Sequence, residues 1–229
     1  MTSPVIFINI LSCIAKTTLP GGSVTPVMTR EAFTQAVEER AKRSSFTRAL
    51  YDTLNEYQAY ERQTTELVVA CGRGCSHCCH QMVCVFPEEM QEITDHISRL
   101  ASPARKKLRE QAQNILKKWQ EWIKIHIRFA PQQVYDPLAL AKAWLWKPCP
   151  LLQEDGSCGV YESRPLVCRT TTSDLRCDET PYRENTHAEQ MRLKCEVWAN
   201  NLQMERSFAQ GVQAVTPLHH FLSVKPHKL

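Results

Sequence analysis

Residues 71–79 read Cys-Gly-Arg-Gly-Cys-Ser-His-Cys-Cys, and four thiols within nine consecutive positions constrain the fold more than any other feature of the chain. Cys75 and Cys78 form a CxxC knuckle, preceded by Cys71 and followed by Cys79. A two-residue spacer lets both sulfurs face one ion while backbone amides point at the thiolates, and Gly72 and Gly74 permit the sharp turns this needs. Consecutive side chains point in different directions, so Cys78 and Cys79 do not readily serve one tetrahedral centre together. One of them is expected to stand behind the ligands or to serve another iron or zinc. Far downstream lies a second set: Cys149 before Pro150, Cys158 after the Asp155-Gly156 turn, and Cys168 between Val167 and Arg169. The expectation is that the two sets converge on one inorganic centre and staple distant segments together.

Eleven cysteines in 229 residues leave a choice among disulfides, metal ligation and redox chemistry. A chain this long, 43% hydrophobic, buries enough apolar surface to fold without covalent staples. An odd count and adjacent cysteines also suit a disulfide scaffold poorly. The apolar stretch from Val5 to Ala15 has no basic residue before it, so it lacks the charged start of a secretory signal, and it is too short to span a bilayer. Ile10-Leu11-Ser12-Cys13 loosely resembles a lipoprotein processing site. The preferred reading of residues 1–28 is a disordered extension or a misassigned start, with Met28 the natural beginning. The expected location is the cytoplasm, whose reducing conditions favour metal over disulfides. A net charge of +4 with dispersed basic residues gives no clear nucleic-acid signal, and no protein partner is indicated.

Only seven glycines, set among many charged and long apolar side chains, favour helices over a sheet with many tight turns. The expected fold is mainly α: a small helical domain with a cysteine-rich metal-binding core and one short β-hairpin. A helix capped by Thr29 should run from Arg30 to Arg62, with a break at Ser44-Ser45 and Phe33, Val37, Ala49, Leu50 and Leu54 on its buried stripe. A second should begin at Pro87 and end near Leu100, with Glu88 and Glu89 at the positive end of its dipole. A third opens with Ser102-Pro103 and carries Leu108, Ala112, Leu116 and Trp119 at core-forming intervals. Leu138 to Trp146 suits a short helix, Asp155-Gly156 the turn of a hairpin between Leu151-Leu152 and Val160-Tyr161, and His187 to Leu202 a last helix. The domain should cover residues 29–205, with a helical insert at about 87–146. Residues 206–229 form a C-terminal tail, poorly ordered from Val215, whose His219, His220 and His227 lie too near the end to be ligands.

The order CxxxCxxCC at 71–79, Cys149-Pro150-Leu151-Leu152, Gly156-Ser157-Cys158-Gly159-Val160-Tyr161 and Arg164-Pro165-Leu166-Val167-Cys168-Arg169 resembles the bacterial YkgJ-like cysteine-cluster family of zinc- or iron-chelating CxxCxxCC domains. The resemblance covers Cys71 to Arg169 discontinuously and leaves out the helical insert. It implies a metal-chelating domain with an unsettled metal and reaction, and it supplies no catalytic residue.

The residues expected to hold zinc or iron, including iron as an iron–sulfur cluster, are Cys71, Cys75, Cys78, Cys79, Cys149, Cys158 and Cys168. Four thiolates around one divalent ion leave a net negative charge, which Arg73, Lys147, Arg164, Arg169 and Arg176 are placed to offset. Each of these is equally well read as a surface or turn-capping cation. Cys84, beside Met82, Val83 and Val85, reads as a small buried hydrophobe. Cys177 and Cys195 lie outside the matched motif, and His77 and His80 are lesser candidates against seven competing sulfurs. The expected role is structural or metal-handling. Two alternatives stand beside it. One is a cluster-dependent enzyme such as a protein lysine methylase-like transferase, since flagellin lysine methylases have a similar cysteine motif, although no glycine-rich nucleotide loop accompanies it here. The other is thiol–disulfide exchange through Cys75 and Cys78, which are crowded by Cys71 and Cys79 and not set at a βαβ helix start.

Overall fold

The computed structural model describes residues 28–72, 74–129, 137–174, 188–190, 193–212 and 215–224. The stretch Val5 to Ala15 with Cys13, and Arg73, Arg176, Cys177 and His227, lie outside the described residues.

Two hydroxyls set the first helices. Thr29, in extended backbone, accepts from the Ala32 amide (3.2 Å) and opens α1, Arg30–Ala41. Ser45 accepts from the Arg48 amide (3.1 Å) and opens α2, Phe46–Thr64. The chain therefore breaks at the serine pair, because a side-chain oxygen satisfies an amide that a continuous helix would have bonded internally. Phe33, Val37, Ala49, Leu50 and Leu54 pack together, joined by Leu193, Cys195 and Ala199 of the later segment around α7, Lys194–Ala209.

Pro87 starts α3, Pro87–Arg99, where its missing N–H costs nothing, and the Glu89 carboxylate reaches back to the Phe86 amide (2.9 Å). α4, Ser102–Phe129, buries Leu108, Ala112, Leu116 and Trp119. The first three of these join Val83, Val85, Met90, Ile93, Ile97, Leu151, Val160, Leu218 and Leu222 in a second core. Burying one such Leu, Ile or Val side chain contributes about 1.5–3 kcal/mol, so this core fixes α4 to the cysteine-bearing segments. Trp119 meets Leu140 and Trp144, the latter just past α5, Pro137–Ala143.

The two remaining helices are α6, Leu166–Thr170, and α8, Leu218–Val224. Among the described residues, four short strands form two antiparallel pairs. β1, Cys84–Val85, pairs with β4, Thr216–Pro217; β2, Thr171–Ser173, pairs with β3, Ala188–Gln190. The body is thus mainly α with short strands at its seams. The Asp155-Gly156 turn forms, but its pairing is a single bridge, Leu152 with Cys158, and Tyr161 enters a 3-10 turn, Tyr161–Ser163.

Two expectations are corrected. The last long helix starts at Lys194 and runs to Ala209, whereas residues 188–190 are strand. Its start is fixed by Glu61 of α2, whose two oxygens accept the Lys194 and Cys195 amides (2.8 and 3.1 Å), and by Glu196, which accepts the Leu193 amide (3.2 Å). The segment from 215 to 224 is docked rather than loose. The Leu218 amide donates to the Val83 carbonyl (2.9 Å), Gln120 donates to the Ser223 carbonyl (3.1 Å), and Leu218 and Leu222 are buried. A strand pair and two apolar anchors together outweigh the ordering cost of a short terminus.

Candidate metal centre

The first cysteine cluster is a tight loop. The Cys75 amide donates to the Gly72 carbonyl (3.2 Å) and the Cys79 amide to the Ser76 carbonyl (2.9 Å), with His77–His80 forming one 3-10 turn. Gly74 has φ of +93°, a conformation that L side chains rarely adopt, so glycine is needed for the loop to fold back between Cys71 and Cys75. Gly156, at φ +78°, turns the second cluster, and a side chain there would sit 3.6 Å from the Gly74 carbonyl and the Ser76 hydroxyl. The two turns therefore stand against each other. A direct link completes the junction: the Cys149 amide donates to the Cys79 carbonyl at 2.7 Å.

These junctions bring together all seven cysteines singled out from the sequence. Cys71, Cys75, Cys78, Cys79, Cys149, Cys158 and Cys168 line one cavity of about 120 Å³. Cys168 comes from α6, where Pro165 caps the helix and cannot continue one upstream. Val83, Leu151, Val160 and Leu218 supply apolar wall. Neither His77 nor His80 is among the lining residues, and the His80 Nδ1 faces the Ser76 carbonyl at 3.0 Å. Cys84 sits in β1, and Cys195 at the start of α7 beside Glu61. Among the described residues, no three cysteine, histidine or carboxylate side chains are gathered into a ready-made cation cage.

Backbone amides serve the sulfurs directly. The Ser173 amide lies 3.1 Å from the Cys71 Sγ, the Leu151 and Leu152 amides favour a Cys149 thiolate, and the Val160 amide favours one at Cys158. Such donors stabilise the anionic form of sulfur and orient it. Acting against them is burial. It pushes the Cys149 thiol up to about 12 and Cys168 well above the ordinary thiol range, where the nearby Cys149, Cys78 and Cys158 sulfurs add repulsion. Cys78 is raised chiefly by its hydrogen bond with Cys79 and then by burial. Cys158 is raised by burial, with the Val160 amide and the Arg164 and Arg169 charges opposing. Among the described cysteines with shifted titration, every one moves upward, the reverse of a reactive thiol. Cys75 is exposed, Cys149 buried and the other five half-buried, and sulfur donors with aimed amides are the set that a soft or borderline cation prefers.

Arg164 and Arg169 line the cavity as expected from the sequence; Lys147 instead lies over the Trp144 ring, 4.8 Å from its centre. Arg169 is only 2% exposed. It donates to the Arg164 and Glu162 carbonyls (2.9 and 2.6 Å) and to Asn55 Oδ1 (3.0 Å), and stacks over Tyr51 at 4.0 Å. Burial, with the Arg164 charge adding to it, brings its guanidinium down to about 10. Tyr51 donates to Glu89 (2.8 Å), whose carboxylate is buried and held above the usual carboxylate range by desolvation. Arg62 at the end of α2 also lines the cavity. Nothing in the local sequence around Arg62 marks it, because only the packing of α2 on the downstream segment brings it there.

Comparison with curated proteins and with solved structures finds no match. Residues 70–196 match the family described as "CxxCxxCC: Putative zinc- or iron-chelating domain". That span holds every cavity cysteine, helices α3 to α6 and the start of α7, and it is more than half of the chain: this protein belongs to the CxxCxxCC family.

Proposed function

We propose that this protein binds zinc or iron in the cysteine-lined cavity, with Cys71, Cys75, Cys78, Cys79, Cys149, Cys158 and Cys168 as the ligand pool, in a structural or metal-handling role. The observation that carries this reading is that thiols from two remote stretches line one small cavity with backbone amides directed at the sulfurs of Cys71, Cys149 and Cys158. The metal would supply positive charge that lets buried thiols ionise, and ligation would draw the two clusters inward to complete a coordination shell. Arg164 and Arg169 offset the excess negative charge that four thiolates leave on a divalent ion, as they would for an iron–sulfur cluster. Seven sulfurs exceed one tetrahedral shell, so the pool accommodates either a spare thiol behind the ligands or a multinuclear centre.

The family description supports zinc or iron. The deciding experiment is anaerobic purification followed by elemental analysis and a visible absorption spectrum. Stoichiometric zinc in a colourless protein, or iron with inorganic sulfide in a brown one, is the expected result. Protein that carries no stoichiometric metal and melts identically with and without chelator ends the proposal.

A further inference from the structure

A second hollow, about 250 Å³, adjoins the cysteine cavity and shares Arg62, Tyr161, Arg164 and Arg169 with its lining. One wall comes from α2, through Asn55, Gln58 and Arg62; the other comes from the 161–169 segment. Three arginines face it against the single carboxylate of Glu162, a net charge of +2. Arg30, Arg40 and Arg48 each have a carboxylate within 3.6 Å, whereas Arg105 bonds a carbonyl and Arg128 and Arg206 lie over aromatic rings. Among the described residues no carboxylate lies within ion-pairing distance of Arg62, Arg164 or Arg169.

The way Arg164 and Arg169 are held argues against mere surface charge. Arg169 is buried and fixed by neutral acceptors and the Tyr51 ring, so its charge is positioned but not cancelled. Arg164 stacks on Tyr161 at 3.9 Å and uses one donor on the Tyr161 carbonyl, leaving most of its planar fork available. Neutralising the sulfurs accounts for Arg164 and Arg169, whose charges act on Cys158. Arg62 lines the cysteine cavity as well, but Asn55 beside it lines only the hollow of the two. Two arginine forks with the Asn55 amide beside them match an oxyanion, whose oxygens accept paired N–H donors, while Gln58 Nε2 is already given to the Arg169 carbonyl and Glu196 (3.0 and 2.7 Å).

The geometry points to an oxyanion-binding site in this hollow, taking a small phosphate- or carboxylate-bearing molecule and holding it at the edge of the cysteine cavity. The hollow's own lining contains no cysteine, so the site stands whether or not the metal reading does. Isothermal titration of the full chain with inorganic phosphate, and separately with succinate, tests it at constant ionic strength, before and after chelator treatment. Saturable one-to-one binding of either anion is expected in both preparations, and the anion that binds identifies the source of the oxygens. R62Q and R164Q should each weaken binding at least roughly tenfold, the loss of one charge-assisted hydrogen bond, while K118Q on the exposed face of α4 leaves it unchanged. Should R164Q fail to fold by circular dichroism, R62Q decides alone, since Arg62 is exposed at a helix end. Absence of saturable binding by both anions up to on the order of 10 mM, or undiminished binding in R62Q, overturns the site. Anion binding by a protein found to hold no metal leaves it standing and removes only the metal proposal.

Discussion

The Cys149 amide donates to the Cys79 carbonyl across 2.7 Å, so the last residue of one cysteine cluster is bonded to the first residue of the other. Replacing sulfur while keeping this backbone bond separates ligation from folding. Cys149→Ser and Cys78→Ser should each reduce bound metal below half of stoichiometry and lower the melting temperature by roughly 5–10 °C, the shift that 2–3 kcal/mol produces in a domain of this size. Cys84→Ser, outside the cavity, should retain full metal. Elemental analysis with thermal denaturation checks the contrast.

Proton release gives a test that a cysteine cluster binding no metal cannot pass. Burial holds Cys149 at about 12 and Cys168 higher than ordinary thiols, so both are protonated in the metal-free protein at neutral pH. Each ligating thiol then gives up a proton as the ion binds. Apparent affinity should rise with pH, by about tenfold per unit for each proton released. Calorimetry in buffers of different ionisation enthalpy counts those protons directly.

Arg169 braces the site from inside. Arg169→Lys keeps a charge but cannot reproduce the three bonds to the Arg164 and Glu162 carbonyls and to Asn55. A loss of about 2–4 kcal/mol is expected in urea denaturation, with weakened metal retention because Cys168 is its neighbour.

His219 makes the stability pH-dependent. Its Nε2 lies 2.8 Å from Trp144 Nε1 and 3.2 Å from the Pro148 carbonyl, and burial brings its pKa down from the ordinary 6.5 to about 4. Between those values the unfolded chain binds more protons than the native one. This contribution is therefore intact above pH 6.5 and is lost as pH falls to about 4, a change on the order of 3 kcal/mol. In denaturation series from pH 7 to 4, His219→Gln should show a shallower loss than the parent.

Glu61 should prove a long-range helix cap. Glu61→Gln weakens the acceptance of two α7 amides and removes a charge favourable to the helix N-terminus. Urea denaturation should show a loss of about 1–2 kcal/mol, without change in metal stoichiometry.

What could be read from the residues was local in origin. Thr29, Ser45 and Pro87 act on amides or dihedrals within one turn of themselves, so α1, α2 and α3 begin where the side chains say they should. The cysteine spacing likewise carries its own geometry, since Gly74 and Gly156 supply the turns on which the cavity depends. The start of α7 was not legible, because Glu61 caps it from another helix. Docking of residues 215–224 escaped for the same reason: a few apolar positions become anchors only once Val83 and α4 stand opposite them. Arg62 shows the limit most plainly, being an unremarkable helix-end cation until tertiary packing turns it toward two hollows.

Leu218 forms part of the wall around the sulfurs, and it is anchored there by the pairing of Thr216–Pro217 with Cys84–Val85. During synthesis, the thiols of residues 71–79 leave the ribosome long before that wall exists. Completing that part of the wall needs a strand and a helix made far downstream of the thiols they cover.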